Sequence, residues 1–254
     1  MSEKGTKGQS KGNAAASSLT ITKYYDAEEI RKTIDLLTFG KPYEIRIIYN
    51  DGKVRSGYFQ GAEILIRELS KLNLEDCNVY ITINQIHEGC YCRKQRDHFV
   101  EVKGKSAPST SENDVTYFRW LLVDLDPIRP AGISSTDSEL IHSKEIALKV
   151  IDFMTGLDFE DYIIALSGNG VHLLYSINEK ATDENKQLLG NCLKVLDAEC
   201  SDEIVKIDAV NFKKAQICKL YGTLAQKGTN TADRPFRMSK IITIEELKEG
   251  AGSE

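Results

Sequence analysis

The chain has 254 residues, 33 Lys and Arg against 38 Asp and Glu for a net charge of −5, and 41% hydrophobic residues. That length buries a substantial core, either as one compact body or as a core with a smaller module attached, and the acidic balance argues against a protein that coats nucleic acid by bulk electrostatics. No apolar run reaches membrane-spanning length, the start lacks the hydrophobic segment of a secretory signal, and three of the six dispersed cysteines fall in apolar helical or strand patterns, so a cytoplasmic location without membrane contact is expected.

Residues 1–20 are rich in Gly, Ser, Lys and Ala and read as a disordered arm. Asp26 then caps a helix with Ile30, Ile34 and Leu37 on one face and Gly40 as its stop. "YEIRIIYNDGKVRSGYF" reads as two strands around Asn50-Asp51-Gly52, a hairpin signal. A second helix is expected over 62–72, followed by the strand "NVYITIN". Residues 84–116 form a long polar stretch with Arg93, Lys94 and Arg96, a length uncommon for a loop without function.

The second half is more regular. A strand ends at "WLLVDLDPIRP", and a helix over 137–155 follows, opened by a Thr136/Glu139 capping box and closed by Gly156. Strands over 162–166 and 171–177 flank "SGNG"; a helix near 183–200 carries Leu189, Cys192, Leu193, Leu196 and Cys200 on one stripe, and a strand over 204–210 follows. The order β-α-β-β-α-β predicts an α+β fold built on a ferredoxin-like, RNA-recognition-motif sheet. The expected division is an N-terminal α/β module over 21–117, an RRM-like core over 118–244, and a tail over 245–254. In that topology the first and third strands are central neighbours, which places His172 near Asp124 and Asp126, while the fourth strand carries Asp208 beside the first.

Strand alternation points Asp124 and Asp126 to one face, roughly 6 to 7 Å apart. At an effective dielectric of about 20 their repulsion costs about 2.5 kcal/mol unless a proton or a cation intervenes. With Asp208 they form a set of hard oxygen donors suited to one or two Mg²⁺ or Mn²⁺ ions. In "LSGNGVHLLY", Gly168 and Gly170 allow successive N–H groups to face one concavity and hold an anion, with Ser167 and His172 as flanking donors. Residues 211–240 carry seven cations against one acid, Asp233, a local net of +6 that leaves −11 on the remainder. Within it Lys219, Arg234 and Arg237 offer charge to a triphosphate or a nucleic-acid backbone. Together the three motifs describe a site for a metal-bound nucleoside triphosphate.

These three stretches, "LLVDLDP", "SGNGVHLLY" and "KIDAV…KLYGT…KG…RPFR", resemble motifs I, II and III of the archaeo-eukaryotic primase superfamily, and most of all the primase-polymerases of phages and other mobile elements. The resemblance runs over residues 25–242. It implies template-directed nucleotidyl transfer with primer initiation and extension. It also implies Asp124, Asp126 and Asp208 as catalytic metal ligands, and Ser167, Gly168, Gly170, His172, Lys219 and Arg237 around the triphosphate. Gln216 stands where this branch is expected to carry arginine for a template or phosphate contact, and without the helicase region often attached to such primases the chain is expected to be a separate subunit, a standalone enzyme or an excised domain. The expected partners are a single-stranded DNA template, nucleoside triphosphates and a helicase or single-strand-binding protein.

Arg93, Arg96, Lys227 and Arg234 are read as DNA contacts. His87, Cys90, Cys92 and His98 raise zinc as a further cofactor, but Cys-x-Cys is tighter than the spacing of a zinc knuckle, and a basic loop with incidental cysteines is preferred. Two rivals share the acids: a metal-dependent nuclease or phosphohydrolase, which leaves the glycine turn unassigned, and a non-catalytic single-strand binder, which would display aromatics on the sheet face instead.

Overall fold

The computed structural model of the chain describes residues 22–104, 107–209 and 212–251, so the expected arm over 1–20 lies outside the described residues. Helix α1 (Ala27–Thr38) starts where the Asp26 carboxylate accepts from the N–H groups of Glu28 and Glu29. Strands β1 (Tyr43–Tyr49) and β2 (Val54–Phe59) form the expected hairpin, followed by helix α2 (Ala62–Leu69) and strand β3 (Cys77–Thr82). Short strands β4 (Gln85–Ile86) and β5 (Val100–Glu101) punctuate the basic segment before the long β6 (Val115–Pro127). Helix α3 (Asp137–Thr155), strands β7 (Tyr162–Leu166) and β8 (Val171–Lys180), helix α4 (Asp183–Cys200) and strand β9 (Val205–Ile207) complete the central unit. Strands β10 (Ile217–Lys219), β11 (Leu224–Ala225), β12 (Arg237–Met238) and β13 (Lys240–Ile242) and helix α5 (Ile244–Lys248) end it.

The central sheet has the order β13-β7-β8-β6-β4, with β9 pairing the far end of β6 along the same edge as β4. Its inner part, β9-β6-β8-β7, is the arrangement expected of the βαββαβ order, and the fold is α+β. The apolar run of β6 is buried on both faces because each face meets a different layer. Trp120 and Leu122 pack with Leu174 and Ala165 against the N-terminal module, whereas Leu121, Val123 and Leu125 pack with Leu173 and Tyr175 under α3 and α4.

Several expectations need correction. The second sheet, β10-β3-β1-β2-β5, takes β10 from the C-terminal half, while β4 from the first half pairs with β6. The two units therefore exchange strands across the 117/118 boundary. Residues 245–248 are not tail: a Thr243/Glu246 capping box starts α5, and Leu247 is buried. Helix α2 ends at Leu69, short of 72, and of the strand expected over 204–210 the described residues form Val205–Ile207. Cys192 faces solvent, so it leaves the buried stripe of α4.

The basic segment is also more ordered than a long loop. Arg93 donates to the Tyr58 hydroxyl and to Asp114, both at 2.6 Å. The fully buried Glu44 accepts from Ser56, Arg46 and the backbone N–H of Thr110.

Candidate active site

Strand β6 pairs with β8 in a register that sets Asp124 directly opposite His172. The turn between β7 and β8 folds back onto the acidic end of β6, and its glycines explain how. A Cβ on Gly170 would lie 2.3 Å from the Leu125 carbonyl oxygen and 2.8 Å from Asp126 Oδ1, and Gly168, at φ +100°, approaches Ala225. Asp124, Asp126, Ser167, His172, Lys219 and Lys227 consequently line one cavity of about 100 Å³, with Asn78 and Tyr80 of the N-terminal module on its far wall.

The acids solve their repulsion through His172. Its side chain is 6% exposed, its Nδ1 lies 2.8 Å from the Tyr221 hydroxyl, and its Nε2 lies 3.3 Å from Asp124 Oδ1. Burial disfavours the charged imidazole, but Asp124 outweighs it and the histidine is pushed up to about 10. Burial also presses both carboxyls upward. On Asp124 the facing His172 cation prevails and holds the carboxyl below its ordinary value; on Asp126 burial and the Asp124 charge prevail over Arg129 and hold it above. Arg129 and Lys227 stand 3.4 and 3.8 Å from Asp126 Oδ2.

Asp124 Oδ1 is in ion-pair range of His172 but off hydrogen-bond geometry, and it is buried with no hydrogen-bond partner among the described residues. Such an oxygen beside a second carboxylate is a fitting donor for a hard divalent cation. The third acid is less committed. The pairing of Leu125 with Ile207 continues into a hydrogen bond of 3.2 Å from the Asp208 N–H to the Asp124 carbonyl, which puts Asp208 level with Asp124. Its side chain is exposed, and no group of three or more His, Cys, Asp or Glu side chains is gathered for a metal among the described residues. His87, Cys90, Cys92 and His98 form no such group either. Cys90 is buried, and the His87 ring accepts from the Gly89 N–H.

The glycine turn is internally satisfied. Ser167 Oγ receives the N–H groups of Asn169 and Gly170 and lies 3.2 Å from the Gly170 carbonyl, while Asn169 Oδ1 accepts from the Ser135 N–H. An anion bound there would replace the hydroxyl as acceptor.

The cations of residues 211–240 do not form a free basic face. Arg234 makes a two-pronged pair with Glu139, Arg237 pairs with Asp137 and holds the Ser135 carbonyl, Lys214 pairs with Asp183, and Lys240 with Glu246. Arg234 and Arg237 thereby pin the N-terminal end of α3 beside the turn. Lys219 is 4% exposed and makes no ion pair among the described residues. It donates to the Leu224 carbonyl at 2.8 Å and to Asn78 at 3.3 Å, and burial pushes it down to about 7. Of the residues read as DNA contacts, Arg96 is exposed, stacked over Tyr91, whereas Arg93 is spent on the fold.

Sequence reasoning missed Arg129, Tyr221 and Asn78. Arg129 is three residues past Asp126 and gave a local signal; Tyr221 and Asn78 reach the site only through tertiary packing.

No protein-family model and no curated protein matches the chain. Among solved structures it is similar to a crystal structure of the primase RepB', with 12% identity, a TM-score of 0.48 and 88% of this chain covered. The chain spans 62% of the length of that structure's chain.

Proposed function

We propose that this chain is a metal-dependent nucleotidyltransferase of the primase-polymerase kind, which joins nucleoside triphosphates on a single-stranded DNA template. The observation that carries this reading is the single cavity in which two carboxylates at the end of β6 face His172, the glycine turn and two lysines, Lys219 and Lys227. Phosphoryl transfer asks for that mixture: acids that would hold a divalent cation, and basic side chains to hold the polyphosphate. Asp124 and Asp126 would hold Mg²⁺ or Mn²⁺, with Asp208 beside them, and the bound ion would supply charge neutralisation at the transferring phosphate.

The chain's own residues supply the rest. His172 is fixed by Tyr221 and presents a charged imidazole to the site, so it can donate to a triphosphate oxygen. Ser167 and the N–H groups of Asn169 and Gly170 form the anion seat, and Lys227 offers a mobile cation at its edge. The resemblance of the three motifs to mobile-element primase-polymerases extends the reading to primer initiation and to replication of a phage or mobile element.

Primed and unprimed single-stranded DNA, incubated with labelled ribo- or deoxyribonucleoside triphosphates and Mg²⁺ or Mn²⁺, gives labelled, lengthened products. Shortened DNA with no incorporation would assign hydrolysis to the site instead.

A further inference from the structure

The reverse face of the central sheet carries a second feature that the nucleotide site does not use. Residues Leu121 and Tyr175, paired across β6 and β8, point away from Asp124 and His172. There α3 and α4 splay apart, and the sheet between them is the floor of a cavity of about 390 Å³. Its walls are almost wholly apolar: Phe153 and Met154 from the end of α3, Leu157 and Phe159 from the connection to β7, and Leu188 and Val195 from α4. Of the nine exposed large hydrophobic residues among those described, four lie here: Leu157, Phe159, Leu188 and Val195. Concentration of such residues in one concavity marks an interaction surface, because scattered ones need no partner.

The charge around the groove identifies the occupant. The sequence around the lining is acidic: Asp152, Asp158, Glu160 and Asp161 are exposed and make no ion pair among the described residues, with Lys194 as the interleaved cation. Along α4 the exposed positions Leu188, Cys192 and Val195 follow the i, i+4, i+7 spacing of a helix face that ordinarily packs on another helix.

We propose that this groove docks an amphipathic helix of another protein, with apolar anchors toward Leu188, Val195 and Phe159 and Lys or Arg flanks against the acidic rim. An acidic rim repels a fatty acid or an anionic membrane surface, and it favours a basic helix. The docking face is opposite the nucleotide site, so a bound partner leaves that site open.

The test uses the full chain and a synthetic Leu/Lys amphipathic peptide of about 18 residues, roughly five helical turns, with a Leu/Glu peptide of the same pattern as control. The Leu/Lys peptide binds, protects the exposed Cys192 thiol from alkylation in a Cys92→Ser background, and loses at least about tenfold in affinity on Leu188→Ser with Val195→Ser. These positions are exposed, and a melting curve verifies that the double variant is folded. Equal binding of the Leu/Glu peptide, or full affinity in the folded double variant, overturns the proposal. So does concentration-dependent self-association that the double variant abolishes, which would give the groove to a second copy.

Discussion

Two buried bases of opposite character share this site, and their pH responses should partly offset each other in the intact chain and separate in variants. His172 is raised from 6.5 to about 10, so between those values the folded state holds a proton that the unfolded state has lost. Its contribution to stability is complete below 6.5 and disappears as pH climbs toward 10. Lys219 is lowered from 10.5 to about 7, so between 7 and 10.5 the unfolded chain holds the extra proton. Its burial cost is complete below 7 and is relieved as pH rises. At about 1.4 kcal/mol per tenfold, each change amounts to roughly 5 kcal/mol in gross. The His172 share is discounted to about 2–3 kcal/mol because the Asp124 side chain is 35% exposed and water screens the pair.

Urea unfolding in chelator at intervals from pH 6 to 10 therefore gives a wild-type stability that rises by only about 2–3 kcal/mol, the Lys219 relief less the His172 loss. Lys219→Met gains stability at pH 6 and loses about 2–3 kcal/mol by pH 10; His172→Gln starts destabilised and gains over the same range. A Lys219→Met profile that stays level would refute the charged pairing of His172 with Asp124, and a level His172→Gln profile would refute a neutral buried Lys219.

The two acids should respond differently to neutralisation. Asp126→Asn is neutral or stabilising without metal, because its carboxyl is held up by its surroundings, whereas Asp124→Asn strands a buried cation and lowers the melting temperature; both variants abolish the Mg²⁺-induced rise in melting temperature and nucleotide incorporation. Gly170→Ala forces a methyl against the Leu125 carbonyl and costs about 1–3 kcal/mol, with loss of incorporation that Gly→Ala at the open turn position Gly52 does not produce at all. DNA binding by the isolated chain is weak and falls with added salt, since most cations of residues 211–240 are paired. Arg96→Ala weakens it in a fully stable protein, while Arg93→Ala lowers stability through Tyr58 and Asp114. Filter binding at several salt concentrations, alongside melting curves, checks both.

The parts of this fold that were legible in the sequence are those whose signals are local. The Asp26 cap, the Asn50-Asp51-Gly52 hairpin and the Thr136/Glu139 capping box each lie within a few residues and reappear in the structure. The βαββαβ order then fixed strand neighbours by topology alone, which is why His172 could be placed beside the acids. What escaped the reading depends on pairing at long range. The strand β10 crosses to β3, and only that crossing brings Lys219 under Asn78 and Tyr221 onto His172.

The charge of residues 211–240 shows the limit most clearly. Composition counts cations, but it does not show that Glu139, Asp137, Asp183 and Glu246 answer four of them from other elements. A segment that looks like a nucleic-acid surface is thereby turned into a set of clamps. Two of those clamps, Arg234 and Arg237, hold the start of α3 against the glycine turn. On the proposed reading that segment is partly mechanical: it fixes the wall against which a phosphate would bind, and Lys219 and Lys227 would be left to meet the charge.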